Sequence, residues 1–271
     1  MVTSDIRIVL PVALLFLLSI PGNISSAAAG DISVFAVYKR QVFLQTSDQP
    51  PVRRCCPYMF DAVVELTDSN AVTAATLGAA DNPPIALTPG YLEEFLPRRG
   101  IVWVSEGFPD QRELNAKWPE GDYVFSIFAP NDGAITSKLQ LAGDLYPTNP
   151  PHVLNFNDAQ AIDASKDFTL RWSRWADGTT NDFCFVVIRK AGEGTPVINT
   201  PFLAEPNALD GTVSAVVIPA GTLAAGEQYD GYVRMDRVLG RDHSSYPGTV
   251  GQASFGSGTH FSLKTLSDSS R

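Results

Sequence analysis

Apolar and polar residues alternate along most of this chain with the two-residue period of strands that bury one face. In the first half the alternation covers residues 32–38, 41–45, 58–66, 72–77, 101–105, 123–128 and 135–141. A polar loop through Pro50, Pro51 and Pro57 is expected before Tyr58, and Asn131-Asp-Gly133 is a hairpin turn. Two brief helical turns are expected, one over 91–96 stopped by Pro97 and one over 111–118. Short strands with turn signals about every eight to twelve residues predict an antiparallel sandwich. No helical stretch is long enough to cross over between parallel strands, which disfavours an α/β sheet.

The stretch 144–172 divides the chain. Pro147, Pro150 and Pro151 interrupt the pattern, and Phe168, Leu170 and Trp172 start a new alternating set. The expected organisation is a leader over 1–29, a β-domain over 30–145, a second over 146–265 and a tail over 266–271. Either half is long enough for its own core. Three prolines stiffen the junction, so a limited range of interdomain angles is expected.

In the second half, residues 183–188, 213–218, 232–235 and 255–263 are further strand-like runs between Gly and Pro turns. Phe168-Thr-Leu-Arg-Trp172 resembles the second strand of a fibronectin type III domain with its buried tryptophan, and 183–189 resembles the third. Leu223-Ala-Ala-Gly-Glu-Gln-Tyr229 resembles the leucine, turn glycine and tyrosine that lead into that family's penultimate strand. The resemblance implies that the Tyr229 ring is buried while its hydroxyl bonds back to the preceding corner. Trp118-Pro-Glu-Gly-Asp-Tyr123 repeats the Gly-x-Tyr part of this corner. The implied fold class is all-β: two tandem antiparallel immunoglobulin-like β-sandwiches after an N-terminal signal peptide.

The leader has the order of a secretory signal: Arg7, the apolar run 8–20, then the small residues 25–29 with cleavage sites of the Ala-x-Ala kind. The apolar run is short against the roughly 20 residues of a membrane span, and Pro11 interrupts it. A protein of the extracellular space or cell envelope is expected, with no stable membrane insertion after cleavage. A net charge of -9 and a pI near 4.8 argue against a nucleic-acid partner. Three cysteines, Cys55, Cys56 and Cys184, are an odd set for an exported chain. An intermolecular disulfide through Cys55 or Cys56 is one outcome. A bond between those two neighbours would close a strained ring, and Cys184 reads as a small buried apolar residue.

Catalytic signatures are not assembled. Asp242, His243 and Ser244 are adjacent and cannot face one another as a triad. Gly256-Ser-Gly258 lacks the spacing of a nucleophile elbow and reads as a flexible turn. Glu93 and Glu94 diverge on a helical turn, as general acid and base would not. No catalytic residue, metal site or cofactor is expected; Asp177, Asn181 and Asp182 have calcium-type oxygens, but an ordinary polar turn is preferred there. Aromatics near loops, Tyr91, Trp103, Trp118, Trp175 and Tyr246, are candidates for stacking on sugars, with Trp175 first. The ligand-binding candidates are therefore Trp175, Asp177, Asn181, Asp182 and Tyr246. The expected function is a secreted, non-enzymatic binding, adhesion or structural protein with a protein or glycan partner. The alternatives are a carbohydrate-binding accessory module and a secreted hydrolase with its site at the interdomain cleft.

Overall fold

The computed structural model describes residues 30–67, 72–79, 82–90, 101–202, 205–246 and 248–267. The expected leader, the helical turn over 91–96 with Tyr91, Glu93 and Glu94, and the last tail residues lie outside the described residues. The first half forms β1 (Ile32–Leu44), β2 (Val52–Leu66), β3 (Ala74–Ala79), β4 (Asn82–Ala86), β5 (Thr88–Gly90), β6 (Ile101–Phe108), α1 (Gln111–Lys117), β7 (Gly121–Ala129) and β8 (Gly133–Leu141). The second forms β9 (Phe168–Arg171), β10 (Phe183–Lys190), β11 (Pro196–Asn199), β12 (Leu209–Asp210), β13 (Ala215–Ile218), β14 (Gln228–Asp242) and β15 (Val250–Lys264). The described residues are all-β apart from two short helical turns, α1 and residues 158–160.

Local chemistry explains most of these elements. The Asp110 side chain accepts the Glu113 N–H at 2.9 Å and so caps α1. Gly133, at φ 80°, closes the hairpin between β7 and β8. The corner implied by the resemblance is formed: the Tyr229 hydroxyl accepts the Ala224 N–H at 2.7 Å, and the ring is buried. Tyr123 makes the equivalent corner in the first half by donating to the Pro119 carbonyl at 2.6 Å. Strand β2 starts earlier than the expected loop allows, because Val52 and Arg53 pair with Leu44 and Phe43.

A nine-stranded sheet runs β11-β10-β14-β15-β1-β2-β6-β5, with β12 beside β10. One of its faces carries a four-stranded sheet, β4-β3-β7-β8, and a two-stranded sheet, β13-β9. The first core lies under the four-stranded sheet, where Phe60 stacks on Trp118 with ring centroids 4.0 Å apart. The second, under β13-β9, gathers Trp172, Trp175, Val186, Met235 and Phe261. Strands β14 and β15, 15 residues each, serve both cores and extend roughly 50 Å at about 3.3 Å per residue.

Two features differ from a pair of separate antiparallel sandwiches. Strand β1 pairs with β15 in parallel, from Val34↔Val250 to Leu44↔His260. No crossover helix is needed because the rest of the chain makes the connection. Consequently Tyr246, Ala253 and Phe255 of the second half belong to the first core. The junction is held by this shared ladder more than by its prolines. Gln45 adds to it, accepting the Val153 N–H at 2.8 Å and donating to the Val153 carbonyl at 2.9 Å. Buried Lys39 donates to Asn115 at 2.7 Å, and Asn115 in turn to Asp144 at 3.0 Å.

Two carboxylates pin the β7–β8 hairpin to the shared sheet. Asp31 accepts the Asn131 N–H at 2.7 Å and its amide at 2.6 Å. Asp242 accepts the Ser137 hydroxyl at 2.5 Å and the Ser245 N–H at 3.0 Å. Burial works to raise both carboxyls, but these hydrogen bonds outweigh it and hold both below the usual carboxylate range. A depressed carboxyl stabilises the fold above its ordinary value of about 3.9 and loses that contribution as pH falls through the folded value. Amide exchange over 133–141, corrected for intrinsic rates, should therefore lose protection on acidification below about pH 4. In Asp242→Asn that acid step should shrink, with less protection already at neutral pH. Equal corrected protection at neutral and acid pH would refute this coupling.

Candidate functional site

The second face of the large sheet carries the densest set of charges. Alternation on strands buried on both faces turns Tyr38 and Arg40 of β1, Asp61 of β2, and Tyr232, Arg234 and Asp236 of β14 to this side. Arg40 Nε lies 2.7 Å from Asp61 Oδ2, and Ser105 Oγ donates to Asp61 Oδ1 at 2.6 Å. Arg40 also reaches the Tyr232 hydroxyl at 3.3 Å. Arg234 pairs with Asp236 at 2.8 Å and lies over the Tyr38 ring, 4.1 Å from its centroid. Both arginines and both aspartates are at most 2% exposed. Burial works against the Arg234 charge, but the adjacent Asp236 carboxylate more than compensates and holds the guanidinium protonated. Burial likewise pushes the Tyr38 hydroxyl up.

Strand β15 makes room for this layer. A side chain at Gly256 would collide with the Asp236 carboxylate, and one at Gly258 with the Tyr232 hydroxyl. Gly256-Ser-Gly258 is thus mid-strand and buried, where a flexible turn was expected. The glycines are needed because the neighbouring strands lay long polar side chains across β15.

Toward the end of β15, the Tyr232 and His260 rings lie against each other, tilted by 32° with centroids 4.5 Å apart. There the face opens into a recess of about 370 Å³ lined by Leu44, Arg54, Arg189, Asp230, His260 and Phe261, among others. Arg189 and Asp230 are register neighbours on β10 and β14, and Arg54 reaches in from β2. Arg54 and Asp230 are exposed, and Arg189 and His260 are half-buried. This arrangement suits an anionic group with a hydrogen-bond donor beside it. A larger groove of about 570 Å³ lies between β4 and α1, where Glu106 and Lys117 pair at 2.5 Å.

The residues singled out from the sequence lie elsewhere. Trp175 is 3% exposed, packed in the second core with the Arg237 guanidinium 4.9 Å from its ring centroid, so it presents no face to a sugar. Trp118 is buried in the first core. Tyr246 is 1% exposed in that core, where it accepts the Asp31 N–H and donates to Asp132. Asp177 and Asp182 do converge, but on Arg237, at 2.7 and 3.5 Å. The guanidinium is the cation that these two carboxylates face. Asp182 further accepts the Thr179 N–H and hydroxyl, both at 2.8 Å. Asn181 is exposed and supplies its backbone carbonyl to Arg241. The loop is therefore a structural clamp that gathers Trp175, Asp177 and Asp182 and leaves Tyr246 apart.

Asp242, His243 and Ser244 form a turn in which Asp242 accepts the Ser244 N–H at 2.8 Å. Asp61 and Asp236, the carboxylates buried deepest on the sheet's second face, each have an arginine partner. Cys184 is fully buried and burial pushes its thiol up, as expected of a packing residue. The recess was missed because Arg54, Arg189, Asp230 and His260 come from four strands far apart in sequence. The one detectable signal was the basic pair Arg53-Arg54.

No family model and no curated protein matches this chain. Among solved structures it is similar to the chicken CNTN1 FN1-FN3 domains, at 10% identity over 88% of this chain and 67% of that one, with a TM-score of 0.23. It is also similar to a cytokine receptor complex, at 11% identity, 84% and 98% coverage and a TM-score of 0.25. A third is the BSP domain structure of a biofilm associated protein, at 11% identity and a TM-score of 0.23, covering 87% of this chain and 30% of that one. At such scores the tyrosine corners and the sheet order describe the fold, and these neighbours assign no activity.

Proposed function

We propose that this chain is a secreted, non-enzymatic binding or adhesion protein of the extracellular space or cell envelope. Its two halves, 30–145 and 146–265, work as one stiff body on the shared sheet. It engages a partner bearing a carboxylate or sulfate in the recess of Arg54, Arg189 and His260. The observation that carries this reading is the gathering of three basic side chains, with the single carboxylate of Asp230, in one open recess of a chain whose net charge is -9. Export is supported by Arg7, the apolar run 8–20 and the small residues 25–29. Among the described residues no helix is long and apolar enough to cross a membrane.

The test is binding of a polyuronate, a sulfated glycan and an acidic peptide, followed by calorimetry. At least one should bind, with affinity falling as salt shortens the screening length below about 10 Å. Arg54→Ala and Arg189→Ala should each weaken it about tenfold, the worth of one charge-assisted hydrogen bond. Undiminished binding by the double variant, or no binding by any of the three probes, would overturn the assignment.

A further inference from the structure

Successive side chains on an extended strand point to opposite faces, so adjacent cysteines normally hold their sulfurs apart. Cys55 and Cys56 do not: both are exposed, and their Sγ atoms lie 3.6 Å from each other. The cause is a bulge in the β1–β2 ladder. Register passes from Gln41↔Tyr58 to Phe43↔Arg53, so Arg54, Cys55, Cys56 and Pro57 loop out opposite Val42. Pro57 has no N–H to return to the ladder. Cys56 adopts the left-handed backbone, φ 50°, which a non-glycine residue enters only at a cost. Gly107 of β6 leaves the space beside the pair, since a Cβ there would lie 3.0 Å from Met59 Sδ and 3.6 Å from Cys56 Cβ. A positive φ, a proline and a facing glycine together turn two neighbouring thiols the same way, so the ring expected to be strained between adjacent cysteines would close here from sulfurs already 3.6 Å apart.

We propose that Cys55 and Cys56 form a vicinal dithiol that reduces an external disulfide and closes on itself. The Cys55 thiolate attacks one sulfur of the external R–S–S–R; that S–S bond breaks and RS⁻ leaves, taking up the proton that Cys55 gave to solvent. Deprotonated Cys56 then attacks the Cys55 sulfur of the mixed disulfide, breaking its bond to R and expelling a second RS⁻, which is protonated in turn. Two thiols of the chain become one disulfide with the loss of two hydrogen atoms and two electrons, and the external disulfide becomes two thiols. While both thiols are free, the hydrogen bond and charge of Cys55 push the Cys56 thiol up, so Cys56 is not the first to attack. Buried Cys184 takes no part. The dithiol is independent of the anion recess, although Arg54 lines that recess.

Oxidised glutathione is the probe, applied to the folded chain with intact-mass and peptide-mass readout. The wild type should lose two hydrogen atoms in the peptide containing both cysteines, stay monomeric on a non-reducing gel, and keep Cys184 reduced. Cys55→Ser and Cys56→Ser, exposed and neutral to folding, should each hold a stable glutathione adduct or form a disulfide-linked dimer. Phenylarsine oxide, which needs two thiols at once, should protect the wild type alone. A wild type that accumulates the glutathione adduct or a cross-linked dimer overturns the proposal. So does a wild type that stays reduced, whether or not the single variants react.

Discussion

Asp61→Ala should destabilise the protein by about 3–5 kcal/mol, the cost of breaking a buried ion pair from one side. Arg40 would lose contacts at 2.7 and 3.4 Å while remaining 2% exposed, and Ser105 would lose its acceptor. Water cannot make up the difference, because Gly256 and Gly258 let the arginine layer lie flat on β15. The double change Arg40→Met with Asp61→Leu should recover most of the loss, since two apolar groups of similar volume carry no desolvation cost. Urea unfolding of the three proteins measures this directly. A loss for Asp61→Ala under about 1 kcal/mol, the value of an exposed pair, would show that solvent reaches the layer.

Trp175→Ala should also cost about 3–5 kcal/mol, the range for removing a large aromatic from a packed core. The ring fills the second core so closely that a Cβ on Gly178 would sit 2.9 Å from it, and it supports Arg237, which holds Asp177 and Asp182. The melting temperature should fall by roughly 10 °C for a chain of this size. A sugar-stacking tryptophan on the surface would behave differently, leaving stability within about 0.5 kcal/mol. Thermal unfolding of the variant therefore separates a core residue from a ligand platform, and a melt unchanged from wild type would return Trp175 to the surface.

Much of the architecture was legible residue by residue. Period-two alternation marked most of the long strands, Asn131-Asp-Gly133 marked the hairpin, and the Tyr229 and Tyr123 corners formed as their motifs implied. The leader expected over 1–29 lies outside the described residues. The binding candidates were less legible. Trp175 and Tyr246 looked like loop aromatics because they follow or precede polar residues, yet both are drawn into cores, where a large ring buries more apolar area than any neighbour. Asp177 and Asp182, where an ordinary polar turn was preferred to a calcium site, both face Arg237, about 60 residues further along the chain.

Alternation, turn chemistry and corner tyrosines are local properties, so the sequence alone determined that the chain is all-β and where many of its strands and turns fall. The parallel pairing of β1 with β15, the charged layer over Gly256 and Gly258, the anion recess and the convergence of Cys55 with Cys56 were decided only by the tertiary structure. A strand with both faces buried has the same two-residue period whatever its partner, so nothing in β1 names β15. Which polar residues become buried neighbours depends on that pairing, and the pairing is fixed by the closure of two cores over one sheet.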